Sequence, residues 1–377
     1  MKKLLFLSAA FLLNVAIAST ASAESLVTAS QVTVLDSMVV DSYDGGHSKQ
    51  KTEYAYDAQG NLVLFIVYRW NKTTSTWVES SKYEYTYDAQ GNVVLSMEYM
   101  WNKTTNTWEQ ERKSETTYDA QGNDIERANY FWDENTKTWD GHFKFVSTYD
   151  GKGRLMSETE YYWNSNTQAW MFERKYECTY DADNRISEIW YTWENTWVEF
   201  NKYTYTYDES GHRLSFTSYS WDDTVNAWVE NVRFEYTYDS IGNILSNTYY
   251  NWDQATETFV PYSLEEYTYD EMSNMLSDTW YLWDNTTNTW VENYNNKYEY
   301  TYDEMGNKTS QTEYYKDAES MDWSLRSHAE YYYHNFDTSV QEIGSEPSSK
   351  SVKVLRNGQI LILRGDRTYT LTGQEVR

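Results

Sequence analysis

The stretch WNKTTSTWVESSKYEYTYDAQGN, residues 70–92, contains the signals that decide the fold. It opens with two Trp residues around a polar loop, continues through a segment in which Tyr alternates with polar residues, and ends in a Tyr-Asp turn. Alternating aromatic and β-branched residues favour a strand, whereas Asn, Asp and Gly favour turns. The stretch therefore predicts one β-strand between two hairpin turns.

The Tyr-Asp pair recurs along most of the chain. It is found at Tyr56, Tyr87, Tyr118, Tyr149, Tyr180, Tyr207, Tyr238, Tyr269 and Tyr302. The interval is 31 residues except for one of 27 and one of 33, and a degenerate copy follows at Tyr333-His334-Asn335. A fixed period of this length indicates a repeat architecture. We therefore expect an all-β antiparallel meander of about ten two-stranded units over residues 51–336.

Each unit has two kinds of turn. The fifth position of the Tyr-Asp motif is Gly in seven of nine copies, with Asn184 and Ser273 in the others, which predicts a left-handed backbone there. The motif's Asp is expected to cap the turn through its side chain. The second turn is flanked by two Trp, as in Trp70-NKTTST-Trp77, and predicts a cross-strand aromatic pair that closes a hairpin.

The alternation of residues suggests that one face of the sheet is lined by rings. A Tyr stands two residues before the first Trp of each Trp-flanked loop, as at Tyr68. The strand that follows the loop repeats Tyr-x-Tyr, as at Tyr83 and Tyr85. We expect these rings on one face, with Lys82 and Glu84 on the other. Because open sheets of more than about ten strands rarely stay flat, the expected architecture is a coiled sheet or β-solenoid. A flat single-layer sheet is the alternative.

The Tyr-Asp-x-x-Gly-Asn motif resembles the YD repeat of the RHS family, over residues 51–336. In that family the hairpins wind into a spiralling β-shell, so the resemblance implies a spiral here. The period of 31 residues is longer than the usual YD unit, and the two Trp around a loop are not part of that motif.

The N-terminus reads as a secretory signal peptide over residues 1–23. Lys2 and Lys3 precede an apolar run, and Ala21-Ser22-Ala23 provides a small-residue cleavage site before Glu24. We predict cleavage between Ala23 and Glu24; an uncleaved membrane anchor is the alternative, although the apolar run is short for a bilayer span. Residues 24–50 are expected to form an N-terminal strand or cap of the repeat array.

The C-terminus changes character after the repeats. Residues 337–350 read as a linker, and residues 351–377 as short strands with turns at Asn357-Gly358 and at Gly365-Asp366. This tail resembles the sorting domain of type IX secretion substrates, through Asn357-Gly358-Gln359 and the ending YTLTGQEVR at 369–377. The resemblance implies the secretion machinery as partner and the outer surface of a Gram-negative cell as location. A strand pair that caps the sheet is the alternative, and would leave the protein periplasmic.

Motifs for chemistry are missing from the sequence. The five His residues do not share metal-ligand spacing, no nucleophile is paired with a base by motif, and no cofactor or metal is expected. Cys178 stands where other copies have Tyr, so a buried structural role is expected. Calcium at turn residues such as Asp57, Asp88 and Asp119 is a weaker alternative. The net charge of −27 disfavours nucleic acid as a partner.

The sequence therefore favours an exported, non-enzymatic surface scaffold or adhesin that binds glycans or proteins through aromatic rings. A secreted hydrolase acting on a polysaccharide or cell-wall polymer is the alternative function. The candidate ligand-binding residues are the Trp residues at the loop edges. They are Trp70, Trp77, Trp101, Trp108, Trp132, Trp139, Trp163, Trp170, Trp283 and Trp290.

Overall fold

The protein is described by a computed structural model that covers residues 31–43, 47–57, 59–317 and 322–337, together with four short C-terminal strands. The predicted signal peptide, its cleavage site at Ala23 and Glu24, and residues 338–350 of the predicted linker lie outside the described residues. The same holds for the predicted turns at Asn357-Gly358 and at Gly365-Asp366.

The repeat region folds into strands joined in chain order. They are β1 Gln31–Ser42, β2 Ser48–Tyr56, β3 Leu62–Asn71, β4 Thr76–Tyr87, β5 Val93–Asn102, β6 Thr107–Tyr118, β7 Asp124–Asp133, β8 Thr138–Tyr149, β9 Leu155–Asn164, β10 Ala169–Asp181, β11 Asn184–Trp193, β12 Trp197–Tyr207, β13 Arg213–Asp222, β14 Ala227–Tyr238, β15 Ile244–Asp253, β16 Thr258–Tyr269, β17 Met275–Asp284, β18 Thr289–Tyr302, β19 Lys308–Asp317 and β20 Ser324–Asp337. Every strand pairs antiparallel with the next, which confirms the predicted all-β meander.

The sheet closes on itself. β1 pairs with β2, and it also pairs antiparallel with β20 from Gln31↔Asp337 to Ser42↔Ser327. The expectation of a coiled sheet or solenoid is therefore wrong, as are the flat alternative and the spiral implied by the RHS resemblance. An up-and-down meander with an even number of strands has antiparallel first and last strands, so the two edges can pair as any neighbours do. Closure into a β-barrel removes both exposed edges.

The wall of the barrel is a single layer. Only sixteen described residues are buried, and nine of those are polar or charged. Among the residues that the structure describes, Leu64 is the one large side chain that is fully buried, within a small cluster with Ala55, Ile66 and Tyr68. A sheet packed against a second layer would bury one whole face. Most side chains of this barrel are instead covered only by neighbours on the same face.

Rings lie on both faces of the sheet, which corrects the one-face prediction. Lys82 pairs directly with Tyr99, and Tyr83 pairs with Glu98, so Tyr99 and Tyr83 point to opposite sides. We call the side of Lys82, Glu84, Tyr99 and their equivalents face A, and the side of Tyr83 and its equivalents face B. The period of two fixes the faces within one strand, but the phase between strands depends on the turns and on a bulge in each pairing.

The C-terminal segment forms a second, four-stranded antiparallel sheet. Its strands are β21 Ser351–Arg356, β22 Gln359–Arg364, β23 Arg367–Thr370 and β24 Glu375–Val376. Both β21 and β22 are rich in Val, Leu and Ile, and β-branched residues such as Val and Ile favour strands. Within the described part of the chain, no helix has the length and apolar character needed to span a membrane.

Candidate functional site

The two kinds of turn lie at opposite ends of the barrel, because successive strands run in opposite directions. The Tyr-Asp turns, such as 88–92 between β4 and β5, form one end, which we call the YD rim. The Trp-flanked loops, such as 72–75 between β3 and β4, form the other end, which we call the Trp rim. The meander therefore gathers every equivalent turn at one rim.

The Tyr-Asp turns are held by their Asp side chain, as predicted. In one copy Asp88 Oδ1 accepts hydrogen bonds from the backbone amides of Gln90 (2.9 Å) and Asn92 (2.8 Å), and Oδ2 accepts one from Asn92 Nδ2 (2.9 Å). Gly91 has φ +87°, and Ser273 in the equivalent position has φ 63°. The predicted left-handed position is thus confirmed for these turns.

One turn departs from the prediction. In the fifth copy, positive φ is found at Ala182 (49°) rather than at Asn184, which begins β11. β10 extends to Asp181 in this copy, so a two-residue turn joins the strands. This tighter turn lies at the start of the 27-residue interval between Tyr180 and Tyr207.

The hydrogen bonds of the YD rim stabilise charged carboxylates. Donation from Asn92 lowers the pKa of Asp88, and donation from the backbone amide and side chain of Arg154 lowers the pKa of Asp150 to about 2. These carboxylate oxygens already accept hydrogen bonds within their own turn. A cation would therefore have to compete with those hydrogen bonds to bind them. No group of three or more His, Cys, Asp or Glu suited to a metal ion occurs among the described residues.

In most Tyr-Asp pairs the Tyr closes the end of the neighbouring ladder. Its hydroxyl donates to the backbone carbonyl of a residue at the start of the preceding strand, as from Tyr87 to Leu62 (2.7 Å) and from Tyr118 to Val93 (3.0 Å). Tyr333, in the degenerate tenth copy, makes the same bond to Lys308 (2.9 Å). These bonds satisfy carbonyls that the ladder leaves unpaired at the rim.

The Trp rim contains eight aromatic pairs, which confirms the predicted ring pairing across each hairpin. Trp70 and Trp77 are directly opposite each other, with ring centroids 5.2 Å apart and an interplanar angle of 72°. Trp252 and Phe259 keep the same geometry, at 4.9 Å and 65°. Edge-to-face packing of this kind is favourable beyond the area that it buries.

The structure brings all ten sequence-predicted Trp residues to this rim. They form five of the pairs: Trp70–Trp77, Trp101–Trp108, Trp132–Trp139, Trp163–Trp170 and Trp283–Trp290. The candidate set omitted three equivalent pairs, Trp193–Trp197, Trp221–Trp228 and Trp252–Phe259. The same pattern of two rings around a polar loop identifies them in the sequence, with six residues between the rings in the last two pairs and three in Trp193–Trp197.

Below most of these pairs, on face A, lies a cation held between rings and a carboxylate; below Trp283–Trp290 the equivalent residue is Leu264. Lys82 Nζ is 2.8 Å from Glu84 Oε1, 3.9 Å from the centroid of the Tyr99 ring and 5.7 Å from that of Trp108. Tyr99 in turn donates to Glu84 Oε2 (3.0 Å). Lys51, Lys113 and Lys175 repeat this cluster in their own hairpins. Sequence reasoning missed these lysines, although they recur with the period of the repeat.

Face B is less regular. Burial, and then a hydrogen bond to Glu98, raises the pKa of Tyr83 to about 12. Cys178 is 3% exposed, and burial raises the pKa of its thiol, so the predicted buried position is confirmed. The Arg185 guanidinium lies 3.6 Å from its sulfur and 2.7 Å from Glu188. On face B, Arg185 and Glu188 therefore form an ion pair beside the buried thiol.

The chain is similar to proteins of unknown function and to a porin-like protein. Residues 78–146 and 195–265 match a family of unknown function, DUF3836. A protein of unknown function from Bacteroides fragilis NCTC 9343 is 23% identical, with 33% of this chain and 89% of that chain covered and a TM-score of 0.29. A porin-like protein from Bacteroides uniformis ATCC 8492 is 10% identical, with 80% and 96% covered and a TM-score of 0.33. No curated protein matches the chain.

Proposed function

We propose that this chain is an exported, non-enzymatic surface scaffold that binds glycans through the aromatic pairs of the Trp rim. The observation that supports it is the gathering of eight such pairs at one end of the barrel. Neighbouring hairpins are two strands apart, about 10 Å, so a polymer following the rim meets one pair after another. Repeated weak contacts of this kind add up to useful avidity.

The rim also supplies polar groups beside its rings. The loops between the paired residues are rich in Asn and Thr; Thr74 and Thr76, for example, are hydrogen bonded to each other at the exposed surface (2.8 Å). Sugars present apolar C–H faces that pack on rings and hydroxyls that need polar partners. A rim of exposed hydroxyls and amides around half-buried indoles offers both.

A series of Trp→Phe substitutions tests the proposal with little risk to the fold. Phe259 already occupies one trailing position and keeps the edge-to-face geometry, so Trp77→Phe, Trp108→Phe and Trp139→Phe should fold normally. The mature protein and the single, double and triple variants are assayed on a glycan array. Affinity should fall stepwise with the number of indoles removed.

Two results would contradict this proposal. Binding that does not change in the triple variant would contradict binding through repeated contacts with successive pairs of the rim. Turnover of a polysaccharide that is lost on one Asp or Glu substitution would instead establish the alternative, a secreted hydrolase.

The proposed location is the outer cell surface, reached through the signal peptide and the C-terminal tail. The support is the resemblance of residues 351–377 to a type IX sorting domain, with their own small sheet. Truncation after Ser349 should leave the protein in the periplasm, as measured by cell fractionation. Surface exposure of the truncated protein would disprove the sorting role.

A further inference from the structure

The Trp rim is interrupted at one hairpin. Between Trp193 and Trp197 the β11–β12 loop has only three residues, Glu194–Thr196, whereas the other seven hairpins have six residues between their paired rings. The short loop is closed by a bond from the Glu194 amide to the Thr196 carbonyl (2.9 Å), with Asn195 at φ 63°. The Trp193–Trp197 pair therefore ends its hairpin, and the longer hairpins beside it extend further.

A second departure from the repeat occurs beside the first. The position two residues after the second ring of each pair is Phe172 in β10. In the other seven hairpins this position holds a small or polar residue or Pro. The equivalent residues are Glu79, Gln110, Gly141, Glu199, Glu230, Pro261 and Glu292. Phe172 is 39% exposed, with its ring centroid 4.8 Å from that of Trp193 and 5.4 Å from that of Trp197. The two departures together produce a continuous aromatic platform next to a lowered loop.

The charges around this platform limit the chemistry of a ligand. Lys175 lies 4.6 Å from the Tyr191 ring centroid and 5.3 Å from that of Trp197, and its ammonium pairs with Glu177 at 2.7 Å. The Lys175 ammonium therefore already lies against the Trp197 ring of the platform. An acidic ligand would be repelled by a chain with a net charge of −27. Glu199, opposite Tyr191 on the next strand, provides a carboxylate acceptor for hydroxyl groups.

We propose that Phe172, Trp193 and Trp197 form the primary subsite of the Trp rim, which takes a pyranose unit of a neutral polysaccharide. This inference rests on the proposed glycan binding and goes further, because it names one subsite and one class of glycan. The sugar packs a C–H face on the platform between the two taller hairpins. Glu199 and the amide side chain of Asn195 are the polar groups that we assign to its hydroxyls.

Phe172→Gln is the test variant, because Gln110 occupies the equivalent position of another hairpin without a change of charge. Glu230→Gln, at the equivalent position four strands away, is the matched control. A second test variant replaces Glu194–Thr196 with the six-residue sequence NKTTNT of residues 102–107. Isothermal titration calorimetry of the full mature protein uses cellohexaose, xylohexaose, mannohexaose and maltohexaose, with hexagalacturonate as the acidic probe.

Binding of at least one neutral hexaose is expected, together with no binding of hexagalacturonate. Phe172→Gln and the lengthened loop should each weaken it by about tenfold, whereas Glu230→Gln should change it by less than about twofold. If the neutral sugar still binds both test variants normally but loses affinity for the Trp→Phe rim series, the subsite is wrong and the rim proposal stands. Preference for the acidic probe overturns the assigned class of glycan. Failure of every hexaose to bind the unmodified protein overturns both proposals.

Discussion

At the scale of single residues, the repeat contains its own controls, since one position is filled by different side chains in otherwise equivalent surroundings. The fifth position of the Tyr-Asp turn is an example. Gly91 adopts φ +87° with open space around the place where a Cβ would stand, so any cost of a side chain comes from the backbone alone. Ser273 accepts that cost in its own turn, at φ 63°.

Exchange at these two positions should therefore have opposite effects. Gly91→Ala is expected to lower the free energy of unfolding by about 1 kcal/mol, because Ala disfavours a left-handed backbone. Ser273→Gly should raise it by several tenths of a kcal/mol. Urea unfolding followed by circular dichroism measures both changes. Equal behaviour of the two variants would show that the turn relaxes to another conformation.

The lysine clusters of face A offer a second comparison. Lys82 is 6% exposed between Glu84, Tyr99 and Trp108, whereas Leu264 occupies the equivalent position opposite Tyr281. Lys82→Met keeps the length of the side chain and removes its charge. We expect a loss of about 1–3 kcal/mol from the ion pair and the cation–ring contacts.

Leu264→Met is the control, because it has no charge to lose and should change stability by less than about 1 kcal/mol. Thermal unfolding of both variants is the measurement. Similar shifts in the two would mean that the lysines act only through their aliphatic stems.

At the scale of strands and hairpins, irregular copies show which spacing the fold protects. The 33-residue interval lengthens β18 to 14 residues, and Tyr300 rather than Tyr302 donates to the carbonyl that ends the neighbouring ladder, Met275 (2.7 Å). An insertion of two residues keeps each side chain on its face of the sheet. The bond is preserved at the same 25-residue separation as in regular copies.

The tyrosines of the strands also make the sheet sensitive to alkali. Burial raises the pKa of Tyr83 and of Tyr300 to about 12, above the value near 10 of an unfolded chain. A raised pKa in the fold means that the neutral phenol contributes stability below pH 10. That contribution is lost as the pH rises through the folded value.

The barrel should therefore lose stability between pH 10 and about 12. Phenolate absorbance and far-ultraviolet circular dichroism, recorded in one titration, should change together over this range. Complete ionisation of the phenols near pH 10 with the sheet signal intact would contradict the expectation.

At the scale of the whole molecule, stability depends on the seam between β1 and its two neighbours. Val39 pairs with Lys51 on one side and with Glu330 on the other. Val39→Pro removes a backbone donor from this strand and should open the ring, since Pro is tolerated in sheets only at edges or bulges. The freed edges of β2 and β20 would then pair with other copies.

Size-exclusion chromatography should show oligomers or aggregates of Val39→Pro. Val39→Thr, which keeps the backbone amide and the branched side chain, should remain monomeric if the unmodified protein is. A monomeric Val39→Pro variant with unchanged thermal stability would show that closure contributes little.

The sequence by itself determined the local plan of this protein. The period of 31 residues, the left-handed turn positions such as Gly91 and the pairing of Trp70 with Trp77 all follow from residues close together in the chain. Backbone preference and the alternation of a strand are local properties, so nearby residues suffice to predict them.

Only the tertiary structure decided that the meander closes and that rings occupy both faces. Closure joins residues 31–42 to residues 324–337, and its geometry is the sum of twist and bulges over twenty strands. The sequence of a single hairpin therefore does not reveal whether the whole sheet closes. The face of each ring likewise depends on the register between neighbouring strands, where Lys82 meets Tyr99, and a pattern within one strand does not specify that register.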